Sequence, residues 1–207
     1  MIDPVEVAGF VLSLAMIYCN IKEIHWGWPL AMLSAVLYCA VFWNSHLYGQ
    51  AGLQIMFLGL SAWGWRQWLR IPSSSGAAEN ANSTSLDTSE KSDVQVTHLT
   101  ISSLQAKEWW PIIGATVLCW AACAYVLMRL TDSEVAIWDA LVAALSLTGQ
   151  YLLGRKKMEN WWVWVFVNVF AVGLMASQSL WLTSLLYALF GVLSYVGLLK
   201  WQKKYAP

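Results

Sequence analysis

Long apolar runs separated by short polar clusters dominate this chain. A bilayer crossing needs about 20 mostly apolar residues to cover ~30 Å of hydrocarbon. Seven windows have that character, at about 4–20, 28–44, 48–67, 110–129, 137–153, 161–177 and 181–199. The pattern predicts an all-α membrane protein of seven transmembrane helices. Between the third and fourth windows, Ser73 to Ser103 is rich in Ser, Asn, Thr and charge. Such a stretch cannot bury a core, and it reads as a flexible linker.

A shift of 133 positions lays the first three windows over the last three without a gap. It pairs Leu12-Ser13-Leu14 with Leu145-Ser146-Leu147, Tyr18 with Tyr151, Trp28 with Trp161, Phe57 with Phe190, Ser61 with Ser194, Gly64 with Gly197 and Trp68 with Trp201. Leu47 with Leu180, Leu53 with Leu186 and Leu60 with Leu193 fall in the same frame, as do Glu6 with Asp139 and Lys22 with Arg155. Chance pairs leucines easily in apolar sequence, but not tryptophans, glycines and charges together. The expected organisation is a first three-helix repeat over 1–70, a flexible cytoplasmic linker over 71–107, a linking transmembrane helix over 108–134, and a second repeat with a cytoplasmic tail over 135–207. Because one helix intervenes, the triplets run in parallel, as two repeats in a 3+1+3 SWEET-like arrangement. Parallel repeats of this kind place a substrate path at their interface near mid-bilayer.

Composition agrees with lipid surroundings: of 207 residues, 58% are hydrophobic and 12% charged, with mean hydropathy +0.52. Sorting the 12 Lys and Arg by loop places Arg129 alone on one side. Lys22, Arg66, Arg70, Lys91, Lys107, Arg155, Lys156, Lys157, Lys200, Lys203 and Lys204 fall on the other. Basic residues collect on the cytoplasmic side, so the N-terminus is expected outside and the C-terminus inside. The N-terminus lacks the positive region of a signal peptide, so the first apolar window is expected to stay as a helix. Zero net charge and the lack of a basic cluster away from the membrane argue against nucleic acid as a partner.

Enzymatic chemistry finds little support. No G-x-x-x-x-G-K-[ST] phosphate loop is present, and His25, His46 and His98 are scattered without helical pairing, so neither an ATP motor nor a metal site is expected. Cys19, Cys39, Cys119 and Cys123 lie in apolar windows as small hydrophobes. The most informative stretch runs from Glu159 to Asn168, where Trp161, Trp164 and Asn168 share a helix face at i, i+3 and i+7. Two indoles and an amide suit a flat, polar, cationic ring held by stacking and cation–π attraction. The same residues equally suit an interfacial aromatic belt, with Asn168 bridging helices. Gln54 is a second intramembrane amide, with Phe57 and Ser61 on its face, and either pore lining or interhelical bonding accounts for it. Glu6 and Asp139 fit helix N-terminal capping more economically than proton coupling.

The run Gly154-Arg155-Lys156-Lys157-Met158-Glu159-Asn160-Trp161-Trp162-Val163-Trp164-Val165-Phe166-Val167-Asn168, preceded by Trp138-Asp139, resembles the hallmark of the PnuC-type vitamin transporters. There a basic run and Glu-Asn lead into W-x-x-W-x-x-x-N. Gln54 and Gly64-Trp65-x-x-Trp68 are similar to that family as well. The resemblance implies a homotrimer in the bacterial inner membrane, without a cofactor, carrying nicotinamide riboside by facilitated diffusion. Phosphorylation by a cytosolic kinase then traps the vitamin. By position it implies substrate binding by Trp161, Trp164, Asn168 and Gln54, with Phe57 and Ser61 beside them. Ser34 and Ser61 stand where nicotinamide riboside members tend to have Asn, so thiamine, carried by related members, is a second expectation. A structural membrane protein whose tryptophans only pack helices is the reading from a different class.

Overall fold

The computed structural model describes residues 4–44, 48–69, 100–130, 136–177 and 181–205. Seven helices lie within them: α1 (Pro4–Ile21), α2 (Gly27–Asn44), α3 (Tyr48–Leu69), α4 (Ala106–Leu130), α5 (Ala136–Gly154), α6 (Glu159–Ser177) and α7 (Trp181–Tyr205). Each expected window becomes one helix. Within the described residues, α4, α5 and most of α7 are long and apolar enough on their own to cross a bilayer. Residues 71–99, His46, His98, Leu47, Leu180 and the side chain of Glu6 lie outside the description.

Neighbouring helices pack in the same order in both halves: α1 on α2 and α2 on α3, then α5 on α6 and α6 on α7. The halves meet where α3 packs on α5 and α1 on α7. Helix α4 packs along α5 and leaves Trp110, Val117, Leu118 and Tyr125 exposed. An apolar face of that extent needs lipid or another chain against it.

The turns joining α1 to α2 and α5 to α6 repeat one another bond for bond. Ile24 N–H donates to the Cys19 carbonyl at 2.8 Å, and Lys157 N–H to that of Leu152 at 2.9 Å. Glu23 N–H donates to Asn20 and Lys156 N–H to Leu153, at 3.2 and 3.0 Å. Glu23 and Lys156 both take left-handed backbone, with φ of 57° and 50°. A non-glycine residue pays for that conformation, so it persists only where the surroundings hold it. Here both side chains are held, because Lys156 Nζ lies 3.1 Å from Glu23 Oε2.

Beside these turns each half closes on a tryptophan pair. Trp28 meets Trp68 edge to face, with ring centroids 5.5 Å apart at 81°. Trp161 meets Trp201 in the same way, at 5.4 Å and 86°. The Trp28 ring fills the space where Gly64 has no Cβ, and Trp161 does the same at Gly197. Trp28, Trp68, Trp161 and Trp201 join Ile21, Leu153 and Leu198 in one buried cluster. Trp68 Nε1 donates across the halves to the Leu153 carbonyl at 3.3 Å.

The expected linker ends earlier than the composition suggests, because its last residues dock. Ser102 N–H donates to the Lys156 carbonyl at 3.1 Å, and Met158 N–H donates to that of Ser102 at 2.9 Å. Glu159 accepts Leu104 N–H at 2.9 Å. Glu108 accepts Gln105 N–H at 2.9 Å and closes the first turn of α4, so this helix begins several residues before its apolar window. Lys157 and Arg155 pair with Glu108 at 2.9 and 3.5 Å.

Two outcomes follow from this packing. Gly197→Ala drives a methyl into the buried Trp161 ring and should cost about 1–3 kcal/mol, as overpacking does. Gly114→Ala meets open space and should leave the detergent melting temperature level or slightly raised. Equal melting of both variants would remove the indole seat as a constraint.

The second concerns Glu23. Burial acts to raise its pKa, but the hydrogen bonds and charges of Lys204 and Lys156 outweigh burial and hold the carboxyl below its ordinary value. A depressed pKa stabilises the fold fully above the ordinary Glu value of about 4.3 and loses that stabilisation as pH falls through the folded value. The melting deficit of Glu23→Gln should therefore be present at pH 7 and shrink on acidification below about pH 4.3. A deficit independent of pH would assign Glu23 a role of shape rather than charge.

Candidate functional site

Helix α5 is the most enclosed element described, with Ala136, Ala140, Ala144, Leu147, Gly149 and Gln150 among its buried residues. Its small residues let neighbouring helices approach closely, as membrane helices do. That closeness brings Gln150 to α3, where its Nε2 donates to Ser61 Oγ at 3.0 Å. Both are at most 5% exposed. A buried amide without a partner costs heavily in hydrocarbon, and this pair answers that need across the two halves.

On α6, Trp164 and Asn168 sit one turn apart on one face. Asn168 Nδ2 donates to the Trp164 carbonyl at 2.7 Å, which ties the amide to its own helix. A Cβ at Gly149 would stand 3.1 Å from the Trp164 indole nitrogen, so the indole lies directly on α5 one residue from Gln150. A Cβ at Gly191 would touch that of Asn168 at 3.5 Å, so α7 approaches from the other side. Gln150 and Ser61 thus join α5 to α3, while Trp164 and Asn168 stand on α6 against α5 and α7 respectively.

The other expected residues fall elsewhere. Trp161 is separated from Trp164, because its ring is edge-on to Trp201 and seated at Gly197. Its faces are occupied by protein, which leaves Trp164 as the indole of the expected pair that stands beside the amides. Gln54 lies two turns along α3 from Ser61, about 10 Å away by helix rise. It lines a cavity of about 350 Å³ with Ala35, Cys39, Trp43, Ile55 and Leu58. Trp43 and Ile55 are exposed, so this cavity opens on the outer face between α2 and α3. Phe57, one turn from Ser61, is half-buried. Ser34 Oγ lies 3.3 Å from Ser13 Oγ and bonds α2 to α1. A second cavity of about 390 Å³ lies between α3 and α5, lined by Trp63, Gln67, Tyr151, Gly154 and Arg155. Trp63 and Tyr151 stack there at 5.4 Å and 11°.

Gln150 is the residue that reading for motifs missed. Its signal was available: a further amide inside an apolar window, at a position where the 133-residue frame places Ile17. The same frame places Ala31 opposite Trp164, Ala35 opposite Asn168 and Tyr187 opposite Gln54. Gln150, Trp164 and Asn168 are thus groups that the duplication does not keep, whereas Ser61 recurs as Ser194.

Replacing Gln150 by Leu should remove the α3–α5 hydrogen bond and leave the Ser61 hydroxyl without it, at a cost of about 1–3 kcal/mol. Ser61→Ala should cost less than Gln150→Leu, and the double variant should show coupling of the two changes. Strict additivity in detergent melts would mean that the contact carries no energy of its own.

The family described as "Nicotinamide mononucleotide transporter" matches residues 3–203. The nicotinamide riboside transporter PnuC of Escherichia coli (strain K12) is 22% identical over 201 residues, covering 95% of this chain and 84% of that one. The riboflavin/roseoflavin transporter RibM of Streptomyces davaonensis is 23% identical over 197 residues, covering 95% and 83%. The crystal structure of the vitamin B3 transporter PnuC superimposes with a TM-score of 0.69 at 19% identity, over 96% of this chain and 80% of that one, a likeness of fold. With the family match spanning nearly its whole length, this multi-pass membrane protein belongs to the PnuC family of transporters, a family that moves molecules rather than transforming them.

Proposed function

We propose that the chain carries nicotinamide riboside across the bacterial inner membrane by facilitated diffusion, with cytosolic phosphorylation trapping the vitamin. The observation that carries this reading is the Gly149–Gln150 step of α5, where the buried Gln150–Ser61 pair bonds the two halves and the Trp164 indole, one turn from the Asn168 amide, packs at the preceding residue. A pyridinium ring is a flat cation, and an indole face attracts it by about 0.5–1 kcal/mol when exposed and ~2 kcal/mol when desolvated. Its carboxamide and ribose offer hydrogen-bond partners to the amides. Phe57, one turn from Ser61 on α3, would line the approach, whereas Trp161, seated at Gly197, would brace α6 and Gln54 would face the groove between α2 and α3.

The frame for this site is a pair of parallel three-helix repeats, α1–α3 and α5–α7, with α4 linking them. The matching turns, the matching tryptophan seats and the matching helix order support that arrangement. The contacts of Glu23 with Lys156 and Lys204 gather two basic turns and the end of α7 at one end of the bundle, in keeping with a cytoplasmic C-terminus and an external N-terminus. The exposed apolar face of α4 suits lipid and the neighbours of a homotrimer.

A second reading has its own support. The RibM relative is named for riboflavin, also a flat ring bearing a polyhydroxylated chain, so riboflavin stands as the alternative cargo. Proteoliposomes without ATP or ion gradient should take up radiolabelled nicotinamide riboside to equilibrium, faster than riboflavin or thiamine. Uptake of riboflavin alone would transfer the assignment to that vitamin, and uptake of none would favour a structural role. Trp164→Ala should weaken binding of the transported vitamin by more than ~1 kcal/mol in titration calorimetry. An unchanged titration would take that indole out of the site.

A further inference from the structure

Glu23 and Lys156 are positional equivalents, 133 residues apart, and they touch each other. A residue and its own repeat-mate can meet only close to the axis that relates the repeats, which is also where a path between them runs. The flanking position keeps its sign, Lys22 with Arg155, whereas this one inverts it and makes the contact attractive. The ion pair is 3.1 Å long, with side chains only 14% and 10% exposed. Lys204, at the end of α7, reaches the second oxygen of Glu23. The Lys156 ammonium also lies 4.8 Å from the centre of the Trp68 ring, which belongs to the first half. One point therefore ties the α1–α2 turn, the α5–α6 turn, α3 and α7 together, at the basic end of the bundle.

We propose that the Glu23–Lys156 pair is the basic-end gate of the transport path, closed in this structure and broken when that end opens. The proposal rests on the transporter reading for what passes through, while the motion itself needs no cargo to be observed. A buried ion pair is a poor device for permanent stability, because well-packed apolar residues serve as well or better. It suits a reversible closure. When the pair parts, both charges recover water, so the lost attraction is offset by hydration and the two states stay close in free energy. Lys204, two-thirds exposed, can follow Glu23 outward without leaving a buried charge behind. The left-handed turns on either side present the two charged side chains to each other, so separation of the halves acts directly on this contact.

The test uses the full chain, with Cys19, Cys39, Cys119 and Cys123 replaced, in liposomes. Spin labels at the exposed positions Lys22 and Gln202 report separation of the halves. Glu23→Gln and Lys156→Gln should each broaden the distance distribution toward longer values, and Lys156→Arg should keep the parent distribution. Uptake of labelled nicotinamide riboside should change at least threefold in both Gln variants and stay within twofold in the Arg variant. In a Glu23→Cys, Lys156→Cys protein, oxidative cross-linking should stop uptake and dithiothreitol should restore it. Parent-like distances in both Gln variants, or continued uptake by fully cross-linked protein, would overturn the gate. If the parent takes up none of the vitamins, the cargo assignment fails and the spin-label distances still decide the gate.

Discussion

Each half of the bundle closes at its basic end on an indole seated where a glycine leaves no side chain. The constraint is steric before it is energetic: Trp28 and Trp161 occupy volumes that a single methyl at Gly64 or Gly197 would invade. A second tryptophan then locks each ring edge to face, a geometry worth about 0.5–1.5 kcal/mol beyond the area it buries. With the rings in place, α2 is fixed against α3 and α6 against α7, and the preceding left-handed turns bring Glu23 and Lys156 within reach of each other. The docked tail before α4 depends on the same turn, since its backbone bonds go to Lys156 and Met158.

What the duplication keeps and what it abandons separate scaffold from chemistry. Tryptophan, glycine and turn positions recur because both halves must solve the same packing problem. Under the proposed function the cargo is a single asymmetric molecule, so the groups that would recognise it have no reason to recur. Gln150, Trp164 and Asn168 face Ile17, Ala31 and Ala35 in the 133-residue frame, and all three stand on the packed surfaces of α5 and α6. Trp161 illustrates the converse. It belongs to the W-x-x-W-x-x-x-N run, yet its recurrence as Trp28 marks it as a packing residue, and its ring is enclosed by protein on that account.

Helix number and placement were legible in the chain because hydrocarbon thickness sets a length that hydrophobicity alone reports. The 133-residue frame was legible because indoles and glycines seldom align by accident. The contents of the candidate site were only half legible: Asn168, Trp164 and Ser61 stood out as polar or aromatic groups in apolar windows, but helical spacing cannot reveal that Trp161 is capped by Trp201. Gln150 was passed over because its significance lies in a partner 89 positions away. Gln54 shares a helical face with Ser61, but the groove it lines is created by α2, which spacing on α3 does not report. The docking of Ser102 to Leu104 escaped detection since backbone hydrogen bonds leave no mark on composition.

The distribution of charge completes the logic. Among the described residues, Glu23, Glu108, Asp139 and Glu159 all lie in turns or first helical turns, away from Gln150 and Asn168. A carboxylate there would bind a cationic ring strongly, but it would have to be desolvated whenever the site stood empty, and its grip would slow release. Neutral amides and one indole face avoid both penalties. Under the proposed function they would attract a flat cation through dipole and quadrupole, weakly enough for passage down a gradient, and their own hydrogen bonds are met within the protein, at the Trp164 carbonyl for Asn168 and at Ser61 for Gln150. Full charges stand instead toward the ends of the bundle, as do Glu23, Lys156 and the two-thirds-exposed Lys204 at the basic end.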